Sequence, residues 1–123
     1  MKRLAFIGVG KMGLSHLAIA GAHPGVKVVG VADPSTFTMN ALKQYSAFNI
    51  FSDYNDMLNE TNPDAVVVAV PTKYHDPIVE DLVSKGLHVF VEKPFTLNKD
   101  RGAQLVKSVK EKKLVNQVGY HNK

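Results

Sequence analysis

Gly8, Gly10 and Gly13 stand in G-x-G-x-x-G order within Phe6-Ile7-Gly8-Val9-Gly10-Lys11-Met12-Gly13, after an apolar run that starts at Leu4 and ahead of a helical pattern. That order builds a cradle for a diphosphate. The first glycine turns the chain at the strand end, the second lets backbone approach the phosphates, and the third lets helix and strand pack closely. Unpaired N–H groups and the positive dipole end of the new helix then face the anion. Asp33 closes the next apolar run, Val28-Val29-Gly30-Val31-Ala32. A dinucleotide fold places an acid about 20 residues beyond the glycines, where it holds the ribose. Such a carboxylate accepts from both ribose hydroxyls and repels a 2′-phosphate. No arginine lies in the turn that follows, so NAD is favoured over NADP, with Lys43 as the cation that could soften the preference. The alternative role for Asp33 is a plain helix N-cap.

Glu92-Lys93-Pro94-Phe95 is the second group that could do chemistry. Two ionisable residues directly after the buried run Val89-Phe90-Val91 are expensive unless the strand end opens into a site. Proline fixes the turn and is compatible with a cis bond. A lysine held there could hydrogen-bond a substrate hydroxyl, or help lower its pKa as hydride leaves the carbon. The competing reading is a surface turn with a solvated Glu-Lys pair. After Val70, Pro71-Thr72 offers a hydroxyl and a backbone to a cofactor, and Lys73, Tyr74 and His75 lead into a helix. His75 is either a ligand contact or a local hydrogen-bonding residue. His16, His23 and His88 have no carboxylate at ligand spacing, and no metal site is expected. Asp53, after the short third strand, could border the adenine side of a cofactor, with helix capping its simpler job.

The elements that must position these groups alternate in period. The spacing predicts strands at 4–7, 26–32, 49–51, 65–70, 87–91 and 114–118. Helices are predicted at 12–22, from Pro34 through Tyr45, after Asp53, after an Asp76-Pro77 cap, and at 98–112. On the first helix Leu14, Leu17, Ala18 and Ala22 are expected on related faces. Near-continuous Val/Ile/Leu runs indicate strands buried on both sides, hence a parallel sheet. Right-handed crossovers then give an α/β, doubly wound, three-layer αβα architecture of about six strands. Ligands of such sheets sit at the carboxyl ends of the strands, where the residues singled out above fall.

Composition narrows the class further. The 123 residues are 45% apolar and 21% charged, with a formal charge of +4 and no cysteine. Disulfide scaffolds, thiolate metal sites and cysteine nucleophiles are excluded. Lys107, Lys110, Lys112 and Lys113 crowd one helix end, where cations suit the dipole, and no aromatic residues interleave with them to make a nucleic-acid stacking platform. No segment is long and apolar enough to span a membrane and no signal peptide precedes the first strand. The expectation is a cytoplasmic protein that contacts neither nucleic acid nor membrane.

These residues together resemble the N-terminal half of the Gfo/Idh/MocA family of NAD(P)-dependent sugar oxidoreductases. The matching motifs are Gly8 to Gly13, the strand ending at Asp33, Val70-Pro71-Thr72 with His75, Gly86-Leu87-His88-Val89 running into Glu92-Lys93-Pro94, and Val118-Gly119-Tyr120-His121-Asn122-Lys123. The resemblance implies that Gly8, Gly10, Lys11, Met12 and Gly13 contact the pyrophosphate and Asp33 the adenosine ribose. It further implies that Thr72, His75 and Glu92 lie along the nicotinamide half and that Lys93 is the catalytic lysine. Tyr120, His121 and Asn122 would run toward a substrate cleft, with His121 at the coenzyme. The implied reaction moves a hydride between NAD and a hydroxyl of a sugar, nucleotide sugar or polyol, in a protein of the kind that forms homo-oligomers. Residues 1–123 would be the dinucleotide-binding domain, without the family's second, substrate domain. A fragment that turns over little by itself is expected. The alternatives are a stand-alone, non-catalytic nucleotide module and another reductase of similar layout, such as a dihydrodipicolinate reductase type.

Overall fold

The computed structural model describes residues 1–44 and 48–120. A parallel sheet of six strands, in the order β3-β2-β1-β4-β5-β6, forms its middle layer. The strands are β1 (Lys2–Ile7), β2 (Val26–Ala32), β3 (Asn49–Phe51), β4 (Ala65–Val68), β5 (His88–Val91) and β6 (Asn116–Val118). The helices are α1 (Lys11–Gly21), α2 (Thr36–Lys43), α3 (Tyr54–Thr61), α4 (His75–Ser84) and α5 (Lys99–Glu111). This is the doubly wound, Rossmann-like order whose switch point falls between β1 and β4.

Alternation along the strands builds two cores. Ala5, Ile7, Val66, Val68, Val89 and Val91 point to one face and pack with Met57, Leu82, Val83 and Leu105 from α3, α4 and α5. Phe6, Val31 and Val67 point to the other and pack with Leu17 and Met39 from α1 and α2. Because side chains alternate strictly across a strand, a single short strand feeds both layers.

Several boundaries differ from the sequence expectation. The second helix begins at Thr36 rather than Pro34, because Ser35 is its N-cap and accepts from the Thr38 amide at 3.3 Å. Tyr45, expected at its end, lies outside the described residues. The fourth helix is not capped by Asp76. A 3₁₀ turn over Thr72–Tyr74 precedes it, and the helix starts at His75 with Tyr74 at the cap. The inner face of α1 is Gly13 and Leu17, with His16 and Ala20 half-buried, whereas Leu14 and Ala18 face outward. Close packing of Gly13 on the glycine loop sets that phase, and the hydrophobic residues follow it. Among the described residues no helix is long and apolar enough to cross a membrane.

Candidate coenzyme site

Five backbone hydrogen bonds line up the loops at the carboxyl edge of the sheet. Asp33 N donates to Phe51 O at 3.1 Å, Gly8 N to Ala32 O at 2.9 Å and Ala69 N to Ile7 O at 2.8 Å. Glu92 N donates to Val68 O at 2.9 Å and Gly119 N to Val91 O at 2.9 Å. The spatial order of the site is therefore Asp33, glycine loop, Ala69-Val70, Glu92-Lys93, Gly119. Asp33 and Lys93 follow strands three places apart, about 14 Å of sheet.

The three glycines have distinct reasons to be glycine. Gly8 has φ of +89°, and a Cβ on it would stand 2.5 Å from Ala69 O. A Cβ on Gly13 would collide with the Gly8 carbonyl oxygen. A Cβ on Gly10 would meet nothing within 4 Å. Gly8 and Gly13 are thus required by the fold, whereas the space at Gly10 is open. Gly10 is also the N-cap of α1, it supplies no side-chain cap, and the first turn carries no acid. The first intrahelical bond runs from Leu14 N to Gly10 O at 2.9 Å, so the Lys11, Met12 and Gly13 amides have no carbonyl within the helix. Lys11 and Met12 are exposed beside them. An anion fits this end of the helix in shape, donor supply and charge.

Asp33 closes the other side of the loop. Its Oδ2 accepts from Val9 N at 2.8 Å and its Oδ1 from Ser35 N at 2.8 Å. Two amides orient the carboxylate, and each oxygen keeps acceptor capacity for a diol. With Ser35 as the cap of α2, capping is not the job of Asp33. A cleft of about 530 Å³ opens here, lined by Gly8, Gly10, Asp33, Asp53, Tyr54, Tyr74 and Ile78 among others, with no lysine or arginine among the described residues of its wall. Its size and largely apolar wall suit a small-molecule ligand. Asp53 lines the cleft and also caps α3, its Oδ1 accepting from Asn55 N at 2.7 Å.

Tyr54 donates its hydroxyl to Asp81 Oδ2 at 3.0 Å. Burial, followed by that hydrogen bond and the Asp81 charge, pushes the phenol up to about 12 from 10.0. A raised folded-state pKa stabilises the fold below the unfolded value, and that contribution is lost as pH climbs toward the folded one. Thermal melts should therefore show an extra loss of stability between pH 10 and 12, and Tyr54→Phe should remove that component.

The second half of the expected site divides in two. Lys93 is exposed, follows β5 and joins Pro94 through a cis peptide bond; its Nζ makes no ion pair or hydrogen bond among the described residues. Thr72 lies half-buried in the 3₁₀ turn. His75 and Glu92, by contrast, are interior, at 1% and 8% exposure. His75 Nε2 faces Val70 O at 2.9 Å, and Nδ1 faces Pro94 O at 2.8 Å and Phe95 O at 3.3 Å. Glu92 pairs with His16 Nε2 through Oε1 and accepts from Lys93 N through Oε2 at 3.2 Å. His121 and Asn122 lie outside the described residues.

The His16–Glu92 pair is one that sequence spacing does not supply, since no carboxylate lies near His16 along the chain. A signal for it exists all the same, because position 16 is one turn after Gly13 and shares its inward face. Phe90 and Glu92 alternate onto that same side, and the His16 and Phe90 rings meet edge-on at 5.0 Å.

A parallel sheet in this order, with an open diphosphate cradle at the first crossover and an oriented acid at the second strand, defines a dinucleotide-binding domain. The chain belongs to the Gfo/Idh/MocA oxidoreductase family: the family model described as "Oxidoreductase family, NAD-binding Rossmann fold" matches residues 2–120. NAD is the coenzyme of that fold. A curated relative, scyllo-inositol 2-dehydrogenase (NAD(+)) of Bacillus subtilis, is 30% identical over 96% of this chain and 35% of its own length. Glycosyl hydrolase family 109 protein 2 of Akkermansia muciniphila is 35% identical over 78% of this chain and 22% of that protein. Among solved structures, the WlbA dehydrogenase of Bordetella pertussis, in complex with NADH and UDP-GlcNAcA, superposes with a TM-score of 0.85 at 26% identity, covering 94% of this chain and 36% of that one. The chain thus spans about a third of the dehydrogenases it matches.

Proposed function

We propose that residues 1–123 are the coenzyme-binding domain of a cytoplasmic NAD-dependent oxidoreductase that acts on a hydroxyl of a sugar, nucleotide sugar or polyol. The observation that carries this reading is the empty volume at Gly10 beside the oriented Asp33 carboxylate, with exposed Lys93 on the same sheet edge. The Lys11, Met12 and Gly13 amides hold the diphosphate, with Gly8 and Gly10 leaving it room. Asp33 takes the ribose hydroxyls, and Asp53 adds a second negative charge against a 2′-phosphate. Bound NAD supplies the hydride acceptor. Lys93 hydrogen-bonds the substrate hydroxyl through Nζ and helps lower its pKa, the released proton passing to a base of the substrate-binding domain, and this hold on the oxygen leaves the carbinol C–H facing the coenzyme. Thr72 flanks the nicotinamide half, and His121, outside the described residues, is a further coenzyme contact in this reading. Most substrate contacts, and the surface for association into a homo-oligomer, come from a second, substrate-binding domain of the full-length protein.

Calorimetric titration of this chain tests the reading. NAD should bind, NADP should bind more weakly, and the absence of heat with millimolar NAD refutes the assignment. Asp33→Ala should weaken NAD by about ten-fold or more, the size of a lost charged hydrogen bond. It should also narrow the NAD-to-NADP ratio, and an unchanged ratio would mean the acid serves only the loop.

The glycosyl hydrolase relative supports a second reading, in which the complete protein cleaves a glycoside. The two differ in product. A dehydrogenase accumulates NADH in step with substrate, whereas a hydrolase releases free sugar with no net change in absorbance at the NADH band.

A further inference from the structure

Two histidines, buried His75 and half-buried His16, from helices on opposite faces of the sheet, converge on the turn that carries Lys93. On one side, His16 of α1 contacts Glu92 Oε1, and Glu92 Oε2 accepts from the Lys93 amide at 3.2 Å. On the other, His75 of α4 bridges Pro94 O at 2.8 Å and Val70 O at 2.9 Å. We propose that His16, through Glu92, and His75 are positioning residues that bracket Lys93, tying its turn to the diphosphate-binding helix and to the end of β4. This rests on the catalytic role proposed for Lys93.

Packing around the bracket is tight. A Cβ on Gly119 would stand 3.2 Å from Glu92 Oε1 and 2.9 Å from Phe90 Cζ, so the backbone just past β6 closes over the carboxylate. The Glu92 amide already bonds Val68 O at 2.9 Å, so the backbone of this residue is fixed without its side chain. A buried carboxylate partnered by a histidine and the next amide is a poor device for stability. Replacing such a pair with apolar residues of similar volume is often neutral or stabilising. What the carboxylate does supply is a direction: it turns the Lys93 N–H toward the interior, and the Lys93 side chain leaves the turn toward solvent. His75 fixes the carbonyl one residue later. Lys93 is thus held on both sides by side chains while its own ammonium stays unpaired among the described residues. Because His16 is three residues past Gly13, any shift of α1 on gripping a diphosphate reaches Lys93 through one imidazole and one carboxylate.

The test uses the ¹⁵N-labelled chain, with and without NADH. His16→Leu removes the donor to Glu92, and His16→Gln keeps one. With His16→Leu the Lys93 amide resonance should move upfield and NADH should bind roughly five-fold more weakly, the equivalent of about 1 kcal/mol. His16→Gln should restore both. A folded His16→Leu chain whose Lys93 amide and NADH affinity match the wild type overturns the proposal, whatever happens to its melting temperature. Should His16→Leu not fold, Glu92→Gln keeps the shape and weakens the acceptor. An upfield Lys93 amide in that variant supports the bracket, and an unmoved one refutes it. If the wild-type chain binds no NADH, the coenzyme reading fails, while the amide resonances still decide whether the bracket exists.

Discussion

Gly10→Ser is expected to raise the melting temperature of this domain and abolish NAD binding, whereas Gly13→Ala is expected to lose both stability and binding. The opposite signs follow from what surrounds each position. At Gly10 the backbone is extended and a Cβ has open space, so a serine side chain enters without strain. Its hydroxyl can accept from the first-turn amides that now have no side-chain cap, worth about 0.3 kcal/mol over glycine, and the less flexible unfolded chain adds roughly 0.5 kcal/mol. The same hydroxyl occupies the volume and the donors that the diphosphate needs. Loss of NAD affinity by about 100-fold, some 2.7 kcal/mol, is the expected outcome. At Gly13 a methyl drives into the Gly8 carbonyl, which is backbone and cannot rotate away. Gly8 is itself pinned by its positive φ and by Ala69, so helix and strand must separate, at a cost of about 3 kcal/mol. Chemical denaturation and calorimetric titration of the two variants check the contrast. A Gly10→Ser chain that still binds NAD at wild-type strength would show that the cradle holds something else.

The three glycines, Asp33 and the Glu-Lys-Pro turn are legible in the sequence because each sits at the end of an apolar run, and a parallel sheet sends all such ends to one edge. The order β3-β2-β1-β4-β5-β6 is built from the same runs. Less legible is anything that depends on which direction a short helix faces. The pattern Leu14, Leu17, Ala18, Ala22 suggests an inner stripe on α1, but Gly13 must touch Gly8, and that contact rotates Leu14 and Ala18 outward. The same rotation aims His16 at Glu92, a partner 76 positions away that no local spacing could reveal. His75 is readable as a residue near a helix start, with both a ligand role and a local role open. That its two nitrogens face carbonyls of two different loops is a tertiary fact. Helix starts are blurred for a simpler reason: Asp33, Ser35 and Asp76 are all competent caps, and only the fold decides which of them is used.

Lys93→Met, made in the protein that carries this domain together with its substrate-binding part, is expected to cut hydride transfer by about 10³-fold and leave NAD affinity within about two-fold. Methionine keeps the length and packing of the lysine stem but has no proton to give or hold. Because Lys93 Nζ has no partner among the described residues and the side chain is exposed, its removal uncovers no buried acceptor, so the fold should be unaffected. The Glu92 carboxylate is held by His16 and by the Lys93 amide, and neither contact needs the ammonium. That separation makes the variant informative, since a lysine that served as the counter-charge of Glu92 would destabilise the domain when removed. Lys93→Arg should fail to rescue, because a guanidinium is bulkier and donates in a fixed plane rather than as a compact point charge. Stopped-flow formation of NADH from a panel of polyols and sugars, set beside NAD titration of the same variants, separates the chemical step from binding. Turnover that survives Lys93→Met would move the activation of the substrate hydroxyl to another residue and leave the Glu-Lys-Pro turn a purely structural corner.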